Sequence, residues 1–324
     1  MTQTQAETIS STHSAKVVND FCITFSTVNG SGSATANNVL LKALFKMGIP
    51  VSGKNIFPSN IQGLPTWYTI RVNKEGFLAR VERDDIVVAM NPATFTSEIG
   101  FLVPGGVLLY SDEFKMPVTR EDIIAYPMPV KKITREMDVP PTLRDYIANM
   151  VYVGVLAQLL GIDLAKIHQA LDVHFKGKQK AVNSNYTVIE ASAYWAAANL
   201  VKKDRYSVEP MDATAGYILT DGNTAGALGA IFGGVQFSAW YPITPASSLA
   251  ESLNEYLPQL RKDVKTGKAS YAVVQAEDEL AAIGMVVGAG WAGLRSMTST
   301  SGPGLSLMSE YLGLAYYSEV PLVV

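Results

Sequence analysis

The feature that most limits the fold is a switch of apolar period, from strand to helix, that occurs in two separate parts of the chain. DFCITF (20–25) is an apolar run of strand length, and STVNGSGS follows it as a turn-forming stretch. ATANNVLLKALFKMG (34–48) then sets Val39, Leu40, Ala43, Leu44 and Met47 at helical spacing, with Gly48 as the stop. Strand, glycine-rich loop and helix in that order open a parallel α/β unit. TWYTIRVN (66–73) and GFLARVER (76–83) alternate and predict strands, as do the aliphatic centres of DIVVAMN (85–91) and GGVLLYSD (105–112). Helices are predicted over 142–160, 163–176 and 181–201.

The second such pattern begins at DGNTA (221–225). A small-residue helix in GALGAIFGGVQF leads to the corner YPITP (241–245), and SSLAESLNEYLPQLRK predicts an amphipathic helix with Ser247 or Ser248 as N-cap. A strand in YAVVQAEDE, a helix in ELAAIGMVVGAGWAGL, a loop at SMTSTSGPG, a helix in LSLMSEYLGLAYY and a strand at VPLVV complete the order. The expected organisation is therefore a disordered tail at 1–18, an α/β domain at 19–201, a polar linker at 202–216 (KKDRYSVEPMDATAG) and a second α/β domain with a parallel sheet at 217–324. The chain stops on an apolar strand, so the second domain is expected to be incomplete as given.

Composition closes off several functions. With 26 basic and 29 acidic residues and a formal net charge of -3, nothing predicts nucleic-acid binding or membrane electrostatics. No apolar run reaches the length of a transmembrane helix, and the polar N-terminus has no signal-peptide core. Cys22 is the single cysteine, which rules out an intrachain disulfide or a cysteine-held cluster and suits a reducing, cytoplasmic setting. Of the three histidines, His168 and His174 lie on a helical pattern and read as packing or surface residues.

Three polar stretches could carry chemistry. The loop Asn29-Gly30-Ser31-Gly32-Ser33-Ala34-Thr35 opens a helix and could face an anion or simply make a tight turn; it is neither a Walker A loop nor a full GxGxxG. Glu277, Asp278 and Glu279 stand at the start of the helix that runs to Leu294 without a charge. They complement the helix dipole, and a carboxyl desolvated at the mouth of a helix buried on every face is also disposed to keep its proton and donate it. Thr298-Ser299-Thr300-Ser301-Gly302-Pro303-Gly304 offers four hydroxyls, either as a capped loop around Ser301 or as a binding lip beside that carboxyl.

Taken in order, DGNTA, YPITP, EDELAAIG (277–284), GAGWAG (288–293) and TSTSGPGLSLMSE (298–310) resemble the α subunit of 2-oxoacid:ferredoxin oxidoreductases, thiamine-diphosphate enzymes. The first ~200 residues resemble that family's γ domain, fused ahead of the pyrimidine-binding α domain, an order closest to the 2-oxoglutarate type. The resemblance implies that YPITP lines the active site. Thr244 would sit near the cofactor's reactive carbon and the substrate carboxylate, Pro242 and Ile243 against the cofactor, and Tyr241 and Pro245 beside the substrate. It implies that Glu279 contacts the aminopyrimidine ring and shares a proton with it, with Glu277 as the fallback. It places Mg²⁺, the diphosphate contacts and a [4Fe-4S] cluster on a partner β subunit, in an α2β2 assembly that uses coenzyme A and reduces ferredoxin. A substrate-binding arginine of the family would fall beyond residue 324. Two other readings stay open on the residues alone: a Rossmann-type nucleotide-binding or regulatory protein using the Gly30–Gly32 loop, and a transketolase-like thiamine enzyme without electron transfer.

Overall fold

A computed structural model describes residues 15–56, 62–137 and 143–324. The chain divides into two compact units, Met1–Ile218 and Leu219–Val324. Most of the tail expected at 1–18 lies outside the described residues. Its end does not: Val17–Val18 form a short strand, β1.

In the first unit β2 (Asp20–Val28) is the buried centre, and Phe21, Cys22, Ile23 and Phe25 are fully enclosed. Side chains of this size each stabilise a fold by about 1.5–3 kcal/mol when removed from water. α1 (Ser33–Lys46) follows, and the stripe expected from its spacing, Val39, Leu40, Ala43 and Leu44, is buried. β3 (Val51–Ile56), β4 (Pro65–Asn73), β5 (Asp84–Ala89), α2 (Phe95–Phe101), β6 (Leu102–Ser111) and β7 (Ile124–Met128) complete a six-stranded sheet in the order β3-β4-β2-β5-β6-β7. β2, β5, β6 and β7 run parallel; β4 is antiparallel to both β2 and β3.

GFLARVER (76–83) is not a strand. It is exposed coil, with Phe77 72% accessible, because β4 already has a partner on each side and β2 and β5 pair directly. The helical layer consists of α3 (Val130–Glu136), α4 (Arg144–Ile147), α5 (Met150–Leu160), α6 (Leu164–His174) and α7 (Gln179–Asn199). The helix predicted over 142–160 is broken at Ala148–Asn149. Asn149, 4% exposed, instead donates from Nδ2 to Ser31 O (2.7 Å), tying the glycine-rich loop to the helices. α5 is buried at every position but Gln158.

Residues 202–216 belong to this unit and are not a free connector. β8 (Tyr206–Ser207) pairs parallel with β1, Tyr206 and Val208 are buried, Met211 N donates to Met47 O (2.9 Å) and Ala213 N to Gly48 O (2.9 Å). Polarity and a proline suggested a linker, but the backbone donors here are satisfied by the first unit.

The second unit is built from α8 (Gly222–Phe232), β9 (Phe237–Trp240), α9 (Ser247–Leu260), β10 (Ala272–Gln275), α10 (Glu279–Trp291), β11 (Ser296–Met297), α11 (Gly302–Leu307) and α12 (Ser309–Tyr317). The sheet is parallel, in the order β10-β9-β11, and Val323 adds a single parallel bridge to Met297 where VPLVV predicted a strand. Ala227, Ile231, Leu253 and Leu257 make one apolar cluster with Met297; Ala282, Ile283, Val286 and Met308 make another around Ala239. The helix expected to be buried all round is not: Met285 (42%) and Trp291 (72%) leave α10 with an exposed apolar face. The N-cap of α9 is Ala246, not a serine. Ser247 is its first residue, and its hydroxyl accepts from Ile243 N at 3.0 Å.

Candidate active site

β9, β10 and β11 run in one direction, so their carboxyl ends meet at one edge of the second unit. In open α/β sheets this edge is where ligands bind. The three stretches singled out in the sequence all leave from it. YPITP follows β9, Glu277-Asp278-Glu279 follows β10 after Ala276, and Thr298–Ser301 follows β11. Ala276 N donates to Trp240 O (2.8 Å), so the acidic turn starts beside the residue that precedes Tyr241.

YPITP is a fixed corner at the surface. The Thr244-Pro245 peptide is cis; Tyr241, Pro242, Thr244 and Pro245 are exposed, and Ile243 is half-buried. DGNTA braces it. Asp221 caps α8 by accepting from Thr224 N (2.9 Å) and Thr224 Oγ1 (2.8 Å), and the Thr224 amide holds the Asp221 carboxyl below its ordinary range. That places Asn223, whose Nδ2 donates to Pro245 O (2.8 Å) and to Ser248 Oγ (2.6 Å). The sequence marked DGNTA as the start of a pattern and as one motif of the resemblance, without a role; its bracing role depends on a contact 22 residues away.

The three acids separate by burial. Glu277 and Asp278 are exposed, and Asp278 is the N-cap of α10, accepting from Ala281 N at 2.6 Å. Glu279 is 8% exposed. Among the described residues no donor reaches its carboxyl, and its oxygens keep contact with solvent at the open edge. The capping work is therefore done by Asp278, and Glu279 is left unpaired.

Gly304 lets α11 close on that carboxyl. A Cβ there would stand 2.9 Å from Glu279 Cγ and 3.1 Å from Glu279 Oε1, and would overlap Thr300 Oγ1. Thr300 Oγ1 and Thr298 Oγ1 are enclosed without a hydrogen-bond partner. An unpaired buried hydroxyl costs on the order of 1–3 kcal/mol, and such groups in native proteins call for an explanation. Ser301 is the N-cap residue of α11, without a side-chain capping bond. A cavity of about 830 Å³ opens alongside, with Asn223, Pro245, Thr298 and Thr300 in its wall; neither Glu279 nor Thr244 lines it. Replacing Gly304 by alanine is expected to lower the thermal midpoint, by about 1–3 kcal/mol in stability, because the methyl must displace Thr300 or Glu279. Calorimetry of Gly304→Ala beside Gly313→Ala, where a Cβ meets nothing within 4 Å, checks it; equal midpoints would refute the close approach.

In the first unit the glycine-rich loop is a tight turn. Gly30 and Gly32 both have φ 83°, and a Cβ on Gly32 would lie 2.8 Å from Tyr146 O. The loop thus packs against the α4 backbone, and Thr27 Oγ1 donates to Ser33 Oγ at 2.8 Å. His168 Nδ1 lies 3.2 Å from Asp172 Oδ2 on α6, and its ring packs on Tyr186. Among the described residues no group of three or more histidine, cysteine or acidic side chains is arranged to hold a metal, and no helix is long and apolar enough to cross a membrane.

Comparison with known proteins matches residues 22–195 to the family described as pyruvate ferredoxin/flavodoxin oxidoreductase. Residues 228–324 match the family described as pyruvate flavodoxin/ferredoxin oxidoreductase, thiamine diphosphate-binding. The α subunit of 2-oxoacid:ferredoxin oxidoreductase 1 from Sulfurisphaera tokodaii is 30% identical over 347 aligned positions, covering 91% of this chain and 52% of that protein. The 2-oxoglutarate synthase subunit KorA of Methanocaldococcus jannaschii is 48% identical over 103 residues, 32% of this chain and 26% of its own length. Among solved structures, the 2-oxoglutarate:ferredoxin oxidoreductase of Magnetococcus marinus, determined with 2-oxoglutarate, coenzyme A and succinyl-CoA bound, superposes with a TM-score of 0.82 at 31% identity. The match covers 94% of this chain and 52% of that one. The chain spans about half the length of these longer relatives.

Proposed function

The chain belongs to the pyruvate ferredoxin/flavodoxin oxidoreductase family, and from that premise we propose that it contributes the pyrimidine-binding half of a thiamine-diphosphate site in a 2-oxoglutarate:ferredoxin oxidoreductase. The reaction joins a 2-oxoacid and coenzyme A to give acyl-CoA, carbon dioxide and a proton, while two electrons pass singly to two ferredoxins. The observation that carries this reading is the convergence of YPITP, buried Glu279 and the Thr298–Ser301 loop on one carboxyl edge of a parallel sheet. The choice of 2-oxoglutarate rests on the likeness to the Magnetococcus and Methanocaldococcus proteins.

The residues fit the cofactor. An unpaired, mostly buried carboxyl beside an enclosed, partnerless hydroxyl suits a flat ring with a basic nitrogen and an amino group. When bound, the cofactor supplies a nucleophilic carbon and takes up the electron pair left by decarboxylation. Glu279 holds and exchanges the proton at the ring nitrogen. The braced corner Tyr241–Pro245 fixes one wall, with Pro242 and Ile243 toward the cofactor and Tyr241 and Pro245 toward the substrate. Thr244 presents its hydroxyl to the substrate carboxylate. The remaining parts, Mg²⁺ with the diphosphate contacts and a [4Fe-4S] cluster, belong to a β subunit in a cytoplasmic α2β2 assembly. The exposed apolar side chains Met285, Trp291, Tyr316 and Tyr317 offer surface that such a partner would cover.

The test is anaerobic dye reduction by the native full-length complex with coenzyme A, comparing 2-oxoglutarate with pyruvate. Reduction is expected only with coenzyme A present and faster with 2-oxoglutarate. A thiamine-loaded, iron-containing complex that reduces the dye with neither acid would overturn the assignment. Preference for pyruvate would correct the substrate alone.

A further inference from the structure

Glu279 and Thr300 crowd one methyl-sized recess. The point where a Gly304 Cβ would stand lies 3.1 Å from Glu279 Oε1 and inside the contact distance of Thr300 Oγ1. Among the described residues neither oxygen has a hydrogen-bond partner, and the Thr300 hydroxyl is sealed from water. Thr134, Thr187 and Ser192 satisfy their hydroxyls on the carbonyl four residues back in their helices. Thr300 precedes α11 and has no helical turn behind it to supply that carbonyl. A sealed hydroxyl with no partner, bordering the same recess as an unpaired carboxyl, calls for an account of what it bonds.

We propose that Thr300 is the positioning residue of the Glu279 carboxyl: with a ring nitrogen on one carboxyl oxygen, the Thr300 hydroxyl donates to the other and fixes the carboxyl plane. The proposal rests on Glu279 being the cofactor carboxylate. A carboxylate accepts at both oxygens, so the two bonds do not compete. The bond requires rotation of the Thr300 or Glu279 side chain, for which the missing Cβ of Gly304, bordered by both oxygens, leaves room. Thr300 also lines the adjoining cavity, so its orientation responds to what enters from that side.

The hydroxyl and the shape of Thr300 are separable. Thr300→Val keeps the shape and removes the hydroxyl; Thr300→Ser does the reverse; Thr300→Ala removes both without adding bulk. In the complete complex, two quantities are read: affinity for thiamine diphosphate with Mg²⁺ by calorimetric titration, and the substrate-free rate of proton–deuterium exchange at the cofactor's reactive carbon by quenched proton NMR. Valine and alanine are expected to slow exchange by about ten- to a hundredfold, the worth of one hydrogen bond to a charged group, and serine to restore it. Exchange in Thr300→Val equal to the wild type, or a loss in Thr300→Ser as large as in Thr300→Val, overturns the proposal. Glu279→Gln separates this from the reading beneath it. If Glu279→Gln slows exchange and Thr300→Val does not, only the role of Thr300 falls. If Glu279→Gln leaves exchange unchanged, the cofactor assignment of Glu279 falls with it.

Discussion

Replacing Glu279 by glutamine is expected to lower turnover of the complete complex by about 10²–10⁴-fold, the usual contribution of a positioned acid–base group, while leaving assembly intact. Glutamine keeps the volume and the planar end of the side chain, so it fits beside Gly304 as glutamate does. What it loses is the exchangeable carboxyl proton. Folding should tolerate the change, because no bond from the chain to the Glu279 carboxyl is broken among the described residues, and the cap of α10 is made by Asp278. The matched control is Glu277→Gln, which alters an exposed acid two residues away and should leave turnover within about twofold, as surface substitutions usually do. Anaerobic dye reduction by both variants, with gel filtration for assembly, decides it. Normal turnover in Glu279→Gln would refute the proton-sharing role. A large loss in Glu277→Gln with none in Glu279→Gln would move that role to the exposed acid.

The contrast between these two acids shows where sequence reading stopped. By helix-dipole reasoning alone three consecutive acids before an apolar helix are equivalent, and only the family resemblance put Glu279 ahead of Glu277. Burial separates them, and burial follows from α11 closing over the turn through Gly304, 25 positions further on. The edge itself was legible in part. Only the acidic turn was read between a strand and a helix. YPITP and TSTSGPG were each read between helices, because β9 (Phe237–Trp240) and β11 (Ser296–Met297) are too short to show a period, and it is the parallel sheet they complete that brings all three loops to one end.

Elsewhere, composition registered what is apolar without saying which apolar face the chain covers. α10 lacks charge from Leu280 to Leu294 and was read as enclosed, yet Trp291 is 72% exposed. Periodicity worked where an element was long enough to show it. The α1 stripe of Val39, Leu40, Ala43 and Leu44 is buried as its spacing requires. It failed for GFLARVER, whose alternation found no free strand edge, and for β1 and β8, where two residues cannot display a period of two.

That last pairing has a consequence of its own, for Asp85 joins it to the sheet. Asp85 on β5 is 3% exposed and accepts three bonds: Oδ2 from Cys22 N at 2.8 Å and from Arg83 Nε at 3.0 Å, and Oδ1 from Tyr206 OH at 3.3 Å. One carboxylate thus holds the central strand, its own strand and the segment at 202–216. The same enclosure pushes the Cys22 thiol up to about 11. Asp85→Ala strands the Cys22 amide and the Tyr206 hydroxyl in the interior, each at about 1–3 kcal/mol, while the half-exposed Arg83 rehydrates at little cost. A loss of about 2–6 kcal/mol is therefore expected in urea unfolding of the full chain. Hydrogen exchange should rise at Val17 and Asn19, whose amides donate to Arg205 O and Ser207 O, before it rises in β2. Asp85→Asn retains one acceptor oxygen and should fall between the wild type and Asp85→Ala. An alanine variant within about 1 kcal/mol of the wild type, with Asn19 protected as before, would mean that Tyr206 is held by its packing on Phe21, 5.6 Å between ring centroids, and not by the carboxylate.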